Sequence, residues 1–169
     1  MDVASEVEPD MILDLDDLPY PFPDNHFELI EADHVLEHLH NPLRTIVELH
    51  RIAKPGGEIR IRVPHFSRGF THADHKRSFD VTLPYYFNPS FKGGYQGVPL
   101  ELLRMRLRWF AQPYLKRSLV PAPLFYTART MGAIIDFFAN ISPYFTSRIW
   151  CYWVGGFEEI EYHFRVIKP

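Results

Sequence analysis

Between residues 27 and 64 the chain reads FELIEADHVLEHLHNPLRTIVELHRIAKPGGEIRIRVP, and this stretch restricts the fold more than any other. FELIEA alternates loosely and fits a buried strand ending at Asp33. Asn41-Pro42 then pairs an N-cap with proline at the first helical position, so a helix starts there. Leu43, Ile46, Val47 and His50 follow at helical spacing, and the helix runs to Lys54, where Pro55-Gly56-Gly57 makes the turn into the next strand. That strand is EIRIRVP, alternating at period two with Ile59, Ile61 and Val63 on one face. Strand, helix and strand in this order predict an α/β sheet with crossover helices.

The flanks extend the pattern. MILDL, residues 11 to 15, reads as a short strand, and DDLPYPFPDN as a turn-rich connection. A polar and aromatic loop runs from His65 to about Gly97. In LELLRMRLRWF, Met105, Leu107 and Trp109 alternate with Arg104, Arg106 and Arg108, which predicts a strand, with a basic helix as the alternative, whose arginines meet acidic groups of the protein or an anionic substrate. Residues 118 to 154 read as helices joined by proline turns, and EEIEYHFRVIK as the closing strand. The expected organisation is one domain, residues 1–169, with a helical insertion over residues 110–155. The aromatic residues of that insertion either shape a pocket for a bulky acceptor or form the core of a helical subdomain.

An apolar fraction of 46% in 169 residues supports one packed core. Residues 1 to 37 hold twelve acids and neither Lys nor Arg, while fourteen of the eighteen basic residues lie between Arg44 and Arg117. This produces a field across the molecule rather than a nucleic-acid footprint, and no nucleic-acid partner is expected. The single cysteine, Cys151, excludes an internal disulfide and fits a reducing, cytoplasmic setting. The start, MDVASEVEPD, lacks the features of a signal peptide. The most apolar stretch is broken by Asp136, Asn140, Pro143 and Arg148, so no membrane span is expected, although an amphipathic surface helix stays open.

His34, Glu37 and His38 spell H-x-x-E-H, a zinc pattern that places two histidines on one face of a stable helix with the glutamate as base. Here His34 follows a strand directly and Asn41-Pro42 restarts the helix, leaving little more than one turn. A third ligand is also needed, and residues 118 to 154 offer only Asp136 as a carboxylate. No metal ligands are assigned on this reading, and a zinc hydrolase is the least favoured function.

DL before LPYPF, PDNHFELI, HVLEHL and KPGGEIRI occur in that order, and together they make residues 11 to 66 resemble the class I S-adenosylmethionine-dependent methyltransferases, in particular the type 11 group. HADHKRSFD and the terminal EIEYHFRVIKP are similar to the later loop and last strand of the same group. The resemblance implies an incomplete Rossmann-like methyltransferase sheet with a helical insertion before the last strand. It also implies S-adenosylmethionine as cofactor and a small-molecule or polymer-linked acceptor.

By the same resemblance, Asp14 and Leu15 fall where the family reads adenine, the carboxylate accepting from the exocyclic amine and the next backbone amide donating to the ring. A loop-capping role is the alternative for Asp14. Asp33 and His34 fall at the end of the family's fourth strand, below the methionine moiety, and His34 alternatively bonds nearby backbone. His38, His40 and His50 are expected to be structural. His65, His72 and His75, with Asp74, Lys76 and Arg77, cluster on the acceptor side, where a histidine can remove a proton from a hydroxyl or amine. The same cluster can instead hold an anionic substrate or a metal ion, or be a solvated loop.

The family's first strand and glycine-rich turn have no counterpart here, and Asp2 takes the place of the acid that binds the ribose hydroxyls. On this reading FELIEA becomes a sheet edge with unpaired backbone groups, and a homo-oligomer through that edge is expected. A late start codon, a cut chain and a gene remnant each explain the pattern. The functional alternatives are therefore a methyltransferase, inactive in this form if the missing strand carries cofactor binding, and a non-catalytic binding or oligomerisation module.

Overall fold

The computed structural model describes residues 10–69 and 72–169. Four strands form one sheet: β1 (Phe27–Asp33), β2 (Ala53–Pro64), β3 (Leu100–Arg108) and β4 (Glu159–Val166), in the order β1-β2-β4-β3. β1 and β2 are parallel and joined by α1 (Pro42–Ile52), while β4 runs antiparallel to both β2 and β3. The strand–helix–strand unit is thus as expected, and Asn41 caps α1 by accepting from the Arg44 amide. By contrast, residues 11 to 15 form no strand beyond a single bridge residue at Ile12, and both Met11 and Ile12 are exposed.

Register sorts the side chains onto two unlike faces. Ile59, Ile61 and Val63 are fully buried, and the first two pair with Phe164 and Tyr162, also fully buried. Met105 and Leu107 sit opposite Tyr162 and Ile160 on the same side. Ile46, Leu49 and Ile52 of α1 join this core. The intervening residues carry charge instead: Arg60 pairs with Glu58 and Glu31, Arg62 with Asp33, Arg108 with Glu161, and Arg165 with Glu101. One face is therefore packed and the other is an ion-pair ladder, as antiparallel pairing permits. This corrects the reading of FELIEA as buried, because Glu28, Leu29, Glu31 and Asp33 of β1 are exposed.

Pro55-Gly56-Gly57 does not form the expected helix-to-strand turn. α1 ends at Ile52 and β2 begins at Ala53, so these residues bulge inside β2: Phe27 faces Ala53, while Leu29 already faces Glu58. Gly56 has φ of 75°, and a Cβ on Gly57 would lie 3.0 Å from the carbonyl oxygens of both Glu28 and Lys54. Gly57→Ala is therefore expected to destabilise the fold by about 1–3 kcal/mol, read as a lower urea midpoint with unchanged slope. An unchanged midpoint would show that the bulge accommodates the methyl group.

Beyond β3 the chain forms three helices. α3 (Pro113–Lys116), α4 (Ala122–Ala139) and α5 (Pro143–Arg148) come first, and β4 follows. The short α2 (Phe66–Gly69) lies just after β2. α4 is held to β3 by two of the residues that interrupt its apolar run. Asn140 bonds both the amide and the carbonyl of Leu107, and Asp136 accepts from the Trp109 amide. Phe125 and Ala139 are buried, whereas Leu124, Tyr126, Ile134, Phe137 and Phe138 are exposed, so α4 is not the centre of a separate helical core. Among the described residues no helix is long and apolar enough to cross a membrane.

Candidate functional site

β1 and β2 run parallel, so their carboxyl ends open on the same side of the sheet, the usual ligand side of such a unit. After Asp33 the chain turns sharply at His34, whose φ is 51°, and enters a short 3-10 turn, Leu36–His38. This is too little helix to present His34 and His38 as a zincin pair. A cavity of about 350 Å³ lies here, lined by His34, Glu37, His38, Arg68, His72 and His75, among others. A larger cavity of about 530 Å³ lies between β3 and α4 and is lined by Arg106, Arg108 and Asp136, but by none of these histidines.

His34 spans two carboxylates. Its Nδ1 is 3.2 Å from Glu37 Oε1 and its Nε2 is 2.6 Å from Glu159 Oε2. Burial opposes its protonation, but the hydrogen bonds to Glu159 and Glu37 outweigh it and raise the pKa to about 9. His34 is thus a cation at neutral pH, donating from both nitrogens. Glu37 is completely buried, and its Oε2 has no hydrogen-bond partner among the described residues. His75 is held by its Nδ1, 2.8 Å from the Gly69 carbonyl oxygen, and it stacks on His72 with ring centres 4.9 Å apart. His72 is mostly exposed, with Nδ1 2.8 Å from Asp74 Oδ1.

The other candidates are placed differently. Asp33 follows the alternation of β1 onto the charged face, opposite Arg62, and bonds that guanidinium at 2.8 Å. His65 is fully buried, its Nδ1 2.7 Å from Ser67 Oγ and its Nε2 2.9 Å from Ser147 Oγ. Burial holds its pKa down at about 4, so it is a neutral ring joining β2 to α5. Asp14 is exposed and caps its own loop by accepting from the Asp16 amide, while the Leu15 N–H bonds no other described residue. That loop docks beside the histidine cluster, since Asp16 takes both the amide and the ring Nδ1 of His40. Asp2 lies outside the described residues.

Glu159 was absent from the candidates drawn from sequence. It stands 125 residues from His34, and only strand pairing brings it there, so no local pattern announces it. Glu37 was visible within H-x-x-E-H, but its complete burial was not.

Residues 4–61 match the family described as methyltransferase domain. Over 39 residues the chain is 49% identical to an uncharacterized methyltransferase of Schizosaccharomyces pombe, a match covering 23% of this chain and 14% of that protein. Among solved structures, the cyclase SpnF aligns with TM-score 0.51 at 18% identity, over 94% of this chain and 56% of that one. A provisionally assigned methyltransferase from Bacillus halodurans aligns with TM-score 0.51 at 14% identity, over 96% and 79%. At these identities the structural likeness concerns the fold. The chain spans about half of the cyclase and a small part of the yeast relative.

Proposed function

We propose, from the premise that residues 4–61 belong to the methyltransferase domain family, that this chain transfers a methyl group from S-adenosylmethionine to an acceptor in the His34–His72–His75 cavity. The observation that carries the reading is the coincidence of that family match with a histidine-lined cavity outside the carboxyl ends of two parallel strands. The fold alone does not choose the reaction, since it is shared with a protein named as a cyclase.

The residues present fit the cofactor. Asp14 is exposed and Leu15 has an N–H bonded to no other described residue, so together they offer the acceptor and donor that complement an adenine edge. When bound, S-adenosylmethionine supplies a methyl group already activated on a sulfonium sulfur. What remains for the protein is alignment and proton removal. His72, its Nδ1 hydrogen-bonded to Asp74, keeps Nε2 available to accept a proton from a hydroxyl or amine. His34 is already protonated and serves to hold Glu37 and Glu159 in place.

Calorimetric titration with S-adenosylhomocysteine tests the cofactor half of the proposal. Saturable binding is expected, weakened about tenfold or more in Asp14→Ala, because the lost bond is to a charged acceptor. Failure of the folded chain to bind, or equal affinity in the variant, would overturn the assignment.

A further inference from the structure

We propose that Glu37, His38 and His75 form a binding site for a divalent transition-metal ion. Each offers one ligand atom, and the three atoms lie within 4.8 Å of one another. Around a tetrahedral ion with ligand bonds of about 2.0–2.2 Å the donors stand about 3.3–3.6 Å apart, so the side chains need to close by about an ångström. The Glu37 carboxylate comes within 4.0 Å of His75 Nε2 through Oε1, the oxygen that His34 also bonds.

The first independent mark of a site is the carboxylate itself. A fully buried oxygen without a partner among the described residues is unfavourable by itself, and an ion is one of the few occupants that resolves it. His34 bonds Oε1 and leaves Oε2 as the open donor. The second mark is the orientation of the imidazoles. His75 donates from Nδ1 to the Gly69 carbonyl, which leaves the Nε2 lone pair on the side of Glu37. His38 has its Nδ1 3.3 Å from Asp74 Oδ2. The hydrogen bond from His75 to a carbonyl is the outer support that metal-binding histidines ordinarily have, and Asp74 stands close enough to His38 to take the same part.

The backbone also prepares the cluster. The amides of Lys76 and Arg77 both donate to the Glu37 carbonyl oxygen, at 2.9 and 3.3 Å, fastening the loop that carries His75 to the turn that carries Glu37 and His38. This is why the sequence argument against a metal does not extend to it. The pair in H-x-x-E-H is replaced by Glu37 and His38 on a single turn, and the third ligand comes from the loop after β2 rather than from residues 118 to 154. Two imidazoles and one carboxylate suit Zn2+, Mn2+ or Fe2+, and leave coordination positions for a ligand. All three residues line the cavity, so an oxygen of the acceptor can join the ion. That extension rests on the methyl-transfer reading, whereas binding of the ion does not.

The test uses the whole chain, stripped with a chelator and then titrated with Zn2+ by calorimetry and with Co2+ by visible absorption. One equivalent is expected to bind. His38→Gln and His75→Gln should each weaken it by about 100-fold or more, since even the loss of an outer support weakens metal sites by about 10–100-fold. His72→Gln should leave affinity nearly unchanged, which separates this site from the more exposed His72–Asp74–His75 group. Thermal unfolding without metal establishes that each variant is folded. No saturable uptake by the wild type, unchanged binding in His75→Gln, or loss in His72→Gln without loss in His38→Gln would overturn the proposal. Titration with S-adenosylhomocysteine in parallel keeps its failure distinct from failure of the cofactor reading.

Discussion

Replacing Arg51 with methionine is expected to destabilise the protein by about 2–3 kcal/mol and to weaken S-adenosylhomocysteine binding although Asp14 and Leu15 are untouched. The guanidinium joins Glu48 through two bonds, of 3.0 and 2.6 Å, and also donates to Asp24 and to the carbonyl oxygens of Tyr20 and Phe22. Glu48 is buried and accepts from the Tyr20 amide, and the Tyr20 hydroxyl in turn bonds the Leu15 carbonyl. Arg51 therefore fastens the chain from Leu15 to Asp24 onto α1. Methionine keeps part of the side chain's apolar length, so the effect isolates the lost bonds and the buried charge of Glu48. Adding Glu48→Gln to the variant should recover part of the loss, because it removes the uncompensated carboxylate. Urea unfolding and calorimetry measure the two effects. A single variant within 0.5 kcal/mol of wild type, with unaltered affinity, would show that the loop is held by other means.

Strands β2, β3 and β4 and helix α1 could be read from the sequence because each carries a local signature. Ile59, Ile61 and Val63 alternate, as do Met105 and Leu107, and Asn41-Pro42 marks a helix start. Residues 11 to 15 misled because an apolar run says nothing about whether a neighbouring strand exists to pair with it. Pro55-Gly56-Gly57 was legible as a break but not as a bulge, since only the closeness of the Glu28 carbonyl shows why Gly57 lacks a side chain. The aromatic residues of α4 have the composition of a core, yet Phe137 and Phe138 face solvent, because composition does not fix a helix's orientation on the sheet.

The site was legible only in part for the same reason. His34, His72 and His75 were singled out, and the structure gathers them around one cavity. Asp33 was placed by its position at a strand end; it bonds Arg62 on the charged face, while its other carboxylate oxygen stays 3.9 Å from His34 Nε2. The partners that define the chemistry come from distant residues: Glu159 for His34, the Gly69 carbonyl for His75 and Ser147 for His65. Spacing along the chain cannot supply such contacts, whereas strand register and loop docking do.

His65 provides the second large effect, and its sign is fixed by the direction of its pKa. In the unfolded chain an imidazole titrates near 6.5, and in the fold burial lowers it to about 4, with Asp80 opposing and Arg148 assisting. Protonation below about 6.5 therefore favours the unfolded state. The stability contributed by neutral His65 is complete above that pH and declines as pH falls toward 4, where the folded form also takes up the proton and the loss levels off. At about 1.4 kcal/mol per pKa unit the full decline amounts to about 3.5 kcal/mol, of which about 2 kcal/mol falls between pH 7.5 and pH 5. Burial lowers the pKa of His50 and His163 as well, so part of the acid sensitivity belongs to them. The comparison that isolates His65 is the difference in urea-derived stability between pH 7.5 and pH 5 for wild type and His65→Gln. The variant is expected to be less stable at pH 7.5 and to lose less on acidification, because Gln does not titrate. An acid loss as large in the variant as in wild type would show that protonation of His65 does not drive it. If the variant does lose less on acidification, the buried ring is a neutral strut between Ser67 and Ser147.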